Sequence, residues 1–169
     1  IEAGSVAAPD VAEAVGPLVY TATPVETTRV DLAAATSATA SADDLRGLAT
    51  AACRPPVMES WLVGGSGATG AADLVVLTNP GTVAATVQLT VYGAQDEQRP
   101  PGGADVIVPA GSQRVIPLAG VALGEPSPVV RVTAAGAPVA ATLQTSITRT
   151  LTPGGVDLVG AITVPTNSV

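Results

Sequence analysis

From Asp73 to Tyr92 the chain reads DLVVLTNPGTVAATVQLTVY, two β-rich runs joined through a Pro-Gly turn, the second of them strictly alternating. Val83, Ala85, Val87, Leu89 and Val91 fall on one side, and Ala84, Thr86, Gln88, Thr90 and Tyr92 on the other, because successive side chains of a strand point to opposite faces. One apolar and one more polar face describe a half-buried strand of an antiparallel sheet. Val139 to Ile147 repeats the design, with Val139, Ala141, Leu143, Thr145 and Ile147 opposed to Ala140, Thr142, Gln144, Ser146 and Thr148.

From Val57 onward, strands and turn signals recur at intervals of roughly ten residues, the spacing of a sandwich or barrel. The pattern predicts strands near 58–63, 73–78, 82–92, 104–108, 112–118, 128–134, 138–149 and 156–163. Between them stand Asn79-Pro80-Gly81, Pro109-Ala110-Gly111, Ala135-Gly136 and Thr152 to Gly155, where Pro presets φ and Gly accepts positive φ. The expected fold is all-β: an antiparallel β-sandwich over residues 57–169, Ig-like or fibronectin-like, with a jelly roll or partly closed barrel as alternatives.

Residues 1–56 form an Ala/Thr-rich N-terminal extension, either packed on the sandwich or a small unit of its own. Leu18 to Thr23 and Thr28 to Ala33 read as strands. The following AAATSATASADD has the composition of a linker, but ends in Ser41-Ala42-Asp43-Asp44 before Leu45 and Leu48, a capping pattern for a short helical turn. Arg54-Pro55-Pro56 stops any helix and marks a boundary.

Composition sharpens this picture. A chain of 169 residues buries roughly 70% of its unfolded surface and needs no disulfide or metal to fold. Hydrophobic residues are 47% of it, yet there is no Phe, one Trp and two Tyr, so Val, Ala, Leu and Ile must fill the core. Seven arginines supply all the positive charge against 14 acidic residues, for a net charge of −7. Scattered arginines on an acidic chain argue against a nucleic-acid partner and against anionic membranes. No apolar run reaches the length of a membrane span, and the start at Ile1, without a leader, reads as a soluble or mature portion. Cys53 has no partner within the sequence and is expected to be a small, partly buried core residue, or to pair outside it.

Candidate chemistry is sparse. Gly65 to Gly70 spells G-x-G-x-x-G, but a strand follows rather than a helix, and Thr90 stands where an acidic residue would hold a ribose, so we read a hairpin loop. Ser66 lacks any histidine or lysine to activate it. The pairs Asp43-Asp44 and Asp96-Glu97, and the pre-strand Asp73 and Asp157, match neither a glycosidase pair nor a calcium loop. No catalytic residue, metal ligand or cofactor is therefore assigned. Trp61 and Tyr92, with Glu59 on the face of Trp61, are the candidate ligand-binding residues; Trp61 serves either core packing or a stacking platform for a sugar.

Three segments, CRPPVMESWLVGG with LVVLTNPGTVAATVQLTVYG, VPAGSQRVIPLAG, and GAPVAATLQTSITRTLTPGGVDLVG, together resemble an uncharacterised family of actinobacterial secreted or membrane-anchored cell-envelope proteins. The resemblance implies an extracytoplasmic, secreted or cell-surface address and a longer, membrane-anchored parent chain. It brings no catalytic residues. The expectation is a non-enzymatic structural or protein-interaction module whose partner is an envelope protein, with binding of cell-wall polysaccharide as the alternative.

Overall fold

The computed structural model describes residues 17–24, 30–43, 45–94, 97–149 and 152–164. Two antiparallel sheets face each other in a sandwich-like arrangement that is not a closed barrel. One has the order β10 (Thr152–Gly160), β9 (Ala140–Arg149), β4 (Leu74–Asn79), β7 (Ser112–Pro117). The other runs β11 (Ile162–Thr163), β3 (Glu59–Val63), β8 (Val129–Ala135), β5 (Ala85–Tyr92), β6 (Val106–Val108). A separate hairpin joins β1 (Ala35–Ser41) to β2 (Arg46–Ala52). Among the described residues, no helix is long and apolar enough to cross a membrane.

The alternation sets the layers. Ala85, Val87, Leu89 and Val91 of β5, Val130 and Val132 of β8 and Leu62 of β3 are buried from one sheet. Val75, Leu77, Ala141 and Leu143 meet them from the other. No aromatic ring belongs to this core, which is assembled from Val, Leu and Ala; each buried Val or Leu contributes about 1.5–3 kcal/mol by leaving water, and each Ala less. Val83 departs from its predicted face: β5 starts at Ala85, and Val83 is exposed.

Both margins of the sandwich are laced by the chain. At one, β10 of the first sheet continues through Ala161 into β11 of the second. At the other, β6 passes to β7 through Pro109-Ala110-Gly111, where Gly111 takes φ 61° and donates to the Gly81 carbonyl at 3.0 Å. Asn79, fully buried, fastens this end: its Nδ2 donates to the carbonyls of Val83 (2.8 Å) and Val108 (3.0 Å), and its Oδ1 accepts from Gly81 N at 2.9 Å. Its amide therefore leaves no buried donor or acceptor of its own unpaired in the Asn-Pro-Gly turn.

The N-terminal extension differs from its expected elements. Leu18 to Thr23 carries no regular structure, and neither does Val30 to Ala33; Thr28 and Arg29 lie outside the described residues. The linker-like run is strand β1, and Leu48, expected on a helical turn, sits in β2. Pairing explains the change: Ala35 to Ser41 meets Ala52 to Arg46 residue for residue, which a short capping signal does not outweigh. Gly47 brings β2 against β10, close enough that a Cβ there would stand 3.2 Å from Val156 N. With Pro17, Leu18 and Tyr20, the hairpin overhangs the outer face of the four-stranded sheet at Thr78, Gln113 and Thr142. Cys53, just past β2, is exposed rather than part of the core, because Arg54-Pro55 carries the chain away over the sandwich margin. Thr152 to Gly155, read as a break, already belongs to β10, with a bulge between Pro153 and Gly155 absorbing its turn-like composition.

Candidate functional site: an aromatic and charged sheet face

The outer face of the five-stranded sheet is ordered into rows by strand register. Ile162, Trp61, Arg131 and Thr90 lie side by side across β11, β3, β8 and β5. One row over run Glu59, Thr133 and Gln88; on the other side run Val63, Val129 and Tyr92. Neighbours in such rows, directly opposite or diagonal, are within side-chain reach.

Four side chains use that reach. Arg131 makes a two-pronged ion pair with Glu59, Nε to Oε1 and Nη2 to Oε2, each 2.9 Å. Its guanidinium carbon lies 5.6 Å from the centre of the Trp61 ring, a cation–π distance. On the far side of β8, Tyr92 brings its ring to 5.5 Å from that of Trp61, tilted by 30°, within the range of attractive aromatic pairs. Tyr92 Oη donates to Glu97 Oε2 at 3.2 Å, and Glu97 also receives Arg99 at 3.1 Å, adding a polar rim.

Both charges are reinforced. The Arg131 hydrogen bonds hold the Glu59 carboxyl below its ordinary range against the opposing effect of burial, and the Arg131 charge adds to them. The Trp61 indole N–H acts in the same direction without closing a hydrogen bond of its own. Glu59 in turn raises Arg131.

The structure thus brings together all three residues singled out in the sequence, Glu59, Trp61 and Tyr92, and adds Arg131. Trp61 is not in the core: it is half-buried on an outer face, with Arg131 against its ring. Arg131 was open to detection as the one charge in VVRVTAA, at an outward position of an apolar strand. Val63 and Ile162 flank the cluster, 51% and 53% exposed, so it sits within an apolar border.

The remaining candidates have structural employment. Asp73 is buried and commits both carboxylate oxygens to backbone donors, Ser66 N at 2.7 Å and Ser146 N at 2.8 Å. It thereby pins the glycine loop, whose Gly67 lies so close to the Ala122 carbonyl that no Cβ fits between them. Asp43 pairs with Arg46 at 3.6 Å in solvent, Asp157 Oδ1 accepts from Leu158 N, and Asp44 and Asp96 lie outside the described residues. Among the described residues, no three Cys, Asp or Glu side chains are grouped to hold a metal ion.

Known proteins relate to this chain in two ways. A model described as a family of unknown function (DUF5719) matches residues 6–169. The chain belongs to this family. In the DUF5719 chain, the match takes in both sheets, the hairpin and every residue of the cluster. The crystal structure of Thermotoga maritima 1070 is similar with a TM-score of 0.51 at 9% identity, covering 64% of this chain and 96% of that one. At that identity the likeness shows a shared fold alone. Among curated proteins no relative is found.

Proposed function

We propose that this DUF5719 domain is a non-catalytic protein-interaction module of an extracytoplasmic actinobacterial envelope protein, and that it docks its partner through the outer face of the five-stranded sheet. One observation carries the reading: Trp61, Tyr92 and Arg131 converge there, bordered by exposed Val63 and Ile162. Trp, Tyr and Arg are the residue types that dominate binding energy at protein interfaces, and a pre-stacked cluster loses little side-chain freedom on docking. Strand addition at an edge has less to support it, since β11 and β6 are short and all four marginal strands, β10 and β7 included, run on into the opposite sheet.

Polysaccharide binding is the second reading, favoured by two rings on one face. Against it, Arg131 lies over the Trp61 ring that a sugar would need. The envelope address rests on the sequence resemblance, and protease shaving of intact cells tests it.

A photo-crosslinking residue at Val63, beside the cluster, with Val115 on the opposite sheet's outer face as control, tests the docking face in the native organism. The expected result is a discrete protein adduct from Val63 that disappears with Trp61→Ala and is absent from Val115. Retention on wall polysaccharide without a protein adduct would transfer the reading to carbohydrate.

A further inference from the structure

At the margin where β10 turns into β11, the two sheets leave a crevice of about 240 Å³ between them. Val139 to Ala141 of one sheet and Ser60 and Ile162 of the other form its walls, and the Arg54 to Val57 segment closes the outside. Val57 is fixed there by hydrogen bonds in both directions with Val139, each 3.0 Å. The lining is mostly aliphatic; its polar residues are Thr163, Ser60 and Arg54, and the last two are without partners among the described residues.

The first of these two is Ser60. It is 3% exposed, alternates inward from Trp61, and its Oγ has no hydrogen-bond partner in the protein. A buried hydroxyl left in that state has given up its water without a replacement, and natural structures leave few such groups. The second is Arg54, which makes no ion pair or hydrogen bond among the described residues. An unpartnered hydroxyl inside and an unpaired guanidinium at the rim of an apolar crevice are complementary to one kind of molecule.

We propose that this crevice binds a small aliphatic monocarboxylate, the tail between the sheets and the carboxylate held by Arg54 and the Ser60 hydroxyl. At about 30 Å³ for each water-sized group, the space takes about eight heavy atoms, which is the size of hexanoate. A carboxylate suits both donors at once, because it accepts from guanidinium and hydroxyl together. The two polar groups of the proposal belong to the crevice alone, since Ser60 points inward where Trp61 points outward; Ile162 is the residue that crevice and docking face share.

Hexanoate and neutral hexanol are titrated into the whole chain, followed by backbone amide NMR shifts. Saturable shifts with hexanoate at Val139 to Ala141 and Ala161 to Thr163 are expected, weakened about tenfold or more by Arg54→Gln, as for loss of a charge-assisted hydrogen bond. Hexanol is expected to bind less tightly and to be indifferent to Arg54→Gln. Ser60→Ala is expected to weaken hexanoate while leaving the melting temperature of the free protein unchanged or raised, since the hydroxyl it removes has no partner there. No saturation by about 10 mM hexanoate, hexanol binding equal to hexanoate, or a lowered melting temperature with unchanged hexanoate affinity would each overturn the proposal.

Discussion

Trp61 and Tyr92 touch across a strand that belongs to neither of them: β8 runs between β3 and β5, and the two rings close over it to 5.5 Å. Such a contact needs a backbone position between them whose own side chain leaves the space open, and Arg131 does so by turning to Glu59 and the Trp61 ring. The outer face is therefore ordered by contacts among its own side chains. Acrylamide should quench Trp61 fluorescence at a rate between free indole and a core tryptophan. Arg131→Ala should raise that rate and shift emission to the red; an unchanged rate would mean that the guanidinium does not cover the ring in solution.

The Glu59 ion pair makes a prediction about acid. Its carboxyl titrates below the ordinary 4.5 in the folded protein, so above 4.5 the folded state keeps a charge stabilised that the unfolded chain has no special means to hold. That stability is fully present above 4.5 and is lost as pH falls through the lower folded value. Melting temperatures of the protein and of Glu59→Gln should differ at neutral pH and converge below pH 4.5. A gap that stays constant into acid would show that the glutamine merely packs worse.

Asp73 and Gly67 should behave as parts of one loop anchor. Asp73→Ala strands the Ser66 and Ser146 N–H groups and is expected to cost about 3 kcal/mol in urea unfolding, as for charged hydrogen bonds. Gly67→Ala drives a methyl into the Ala122 carbonyl and should cost about 2 kcal/mol or more. Because both loosen the same contact between loops, the double variant should fall short of the sum.

Asn79 supplies a sharper case, since two strand ends and a turn depend on one amide. Asn79→Ala leaves the Val83 and Val108 carbonyls and Gly81 N without their partner, at an expected cost of about 2–3 kcal/mol. Amide exchange should accelerate first at the turn around Gly81 and Gly111, where their mutual hydrogen bond depends on the same corner.

Sequence pattern and structure agree where burial is one-sided. In β5, Ala85, Val87, Leu89 and Val91 alternate with polar residues because only one face meets the other sheet, so period two is visible without knowing the neighbours. The same alternation marks β9, while β3, β4, β7 and β8 are placed by β-rich runs between recurring turn signals. In ATSATAS and RGLATAA of β1 and β2 nearly every side chain is small and most are exposed, so neither face is marked, and the hairpin exists through its mutual register. Glu59, Trp61 and Tyr92 were legible as residue types. Their convergence was not, because it depends on β8 lying between β3 and β5, and strand order leaves no trace in alternation. Arg131 was missed for that reason.

The pairing of β11 with β3 has a mechanical meaning. Thr163 lies opposite Ser60 and Ile162 opposite Trp61, antiparallel, so Glu59 at the start of β3 and Thr163 at the end of β11 lie at the same end of the pair. A pull between those two points would peel β11 from β3 one rung at a time instead of loading every rung together. With two paired rungs against the five that join β3 to β8, this seam is where the sandwich is expected to yield first.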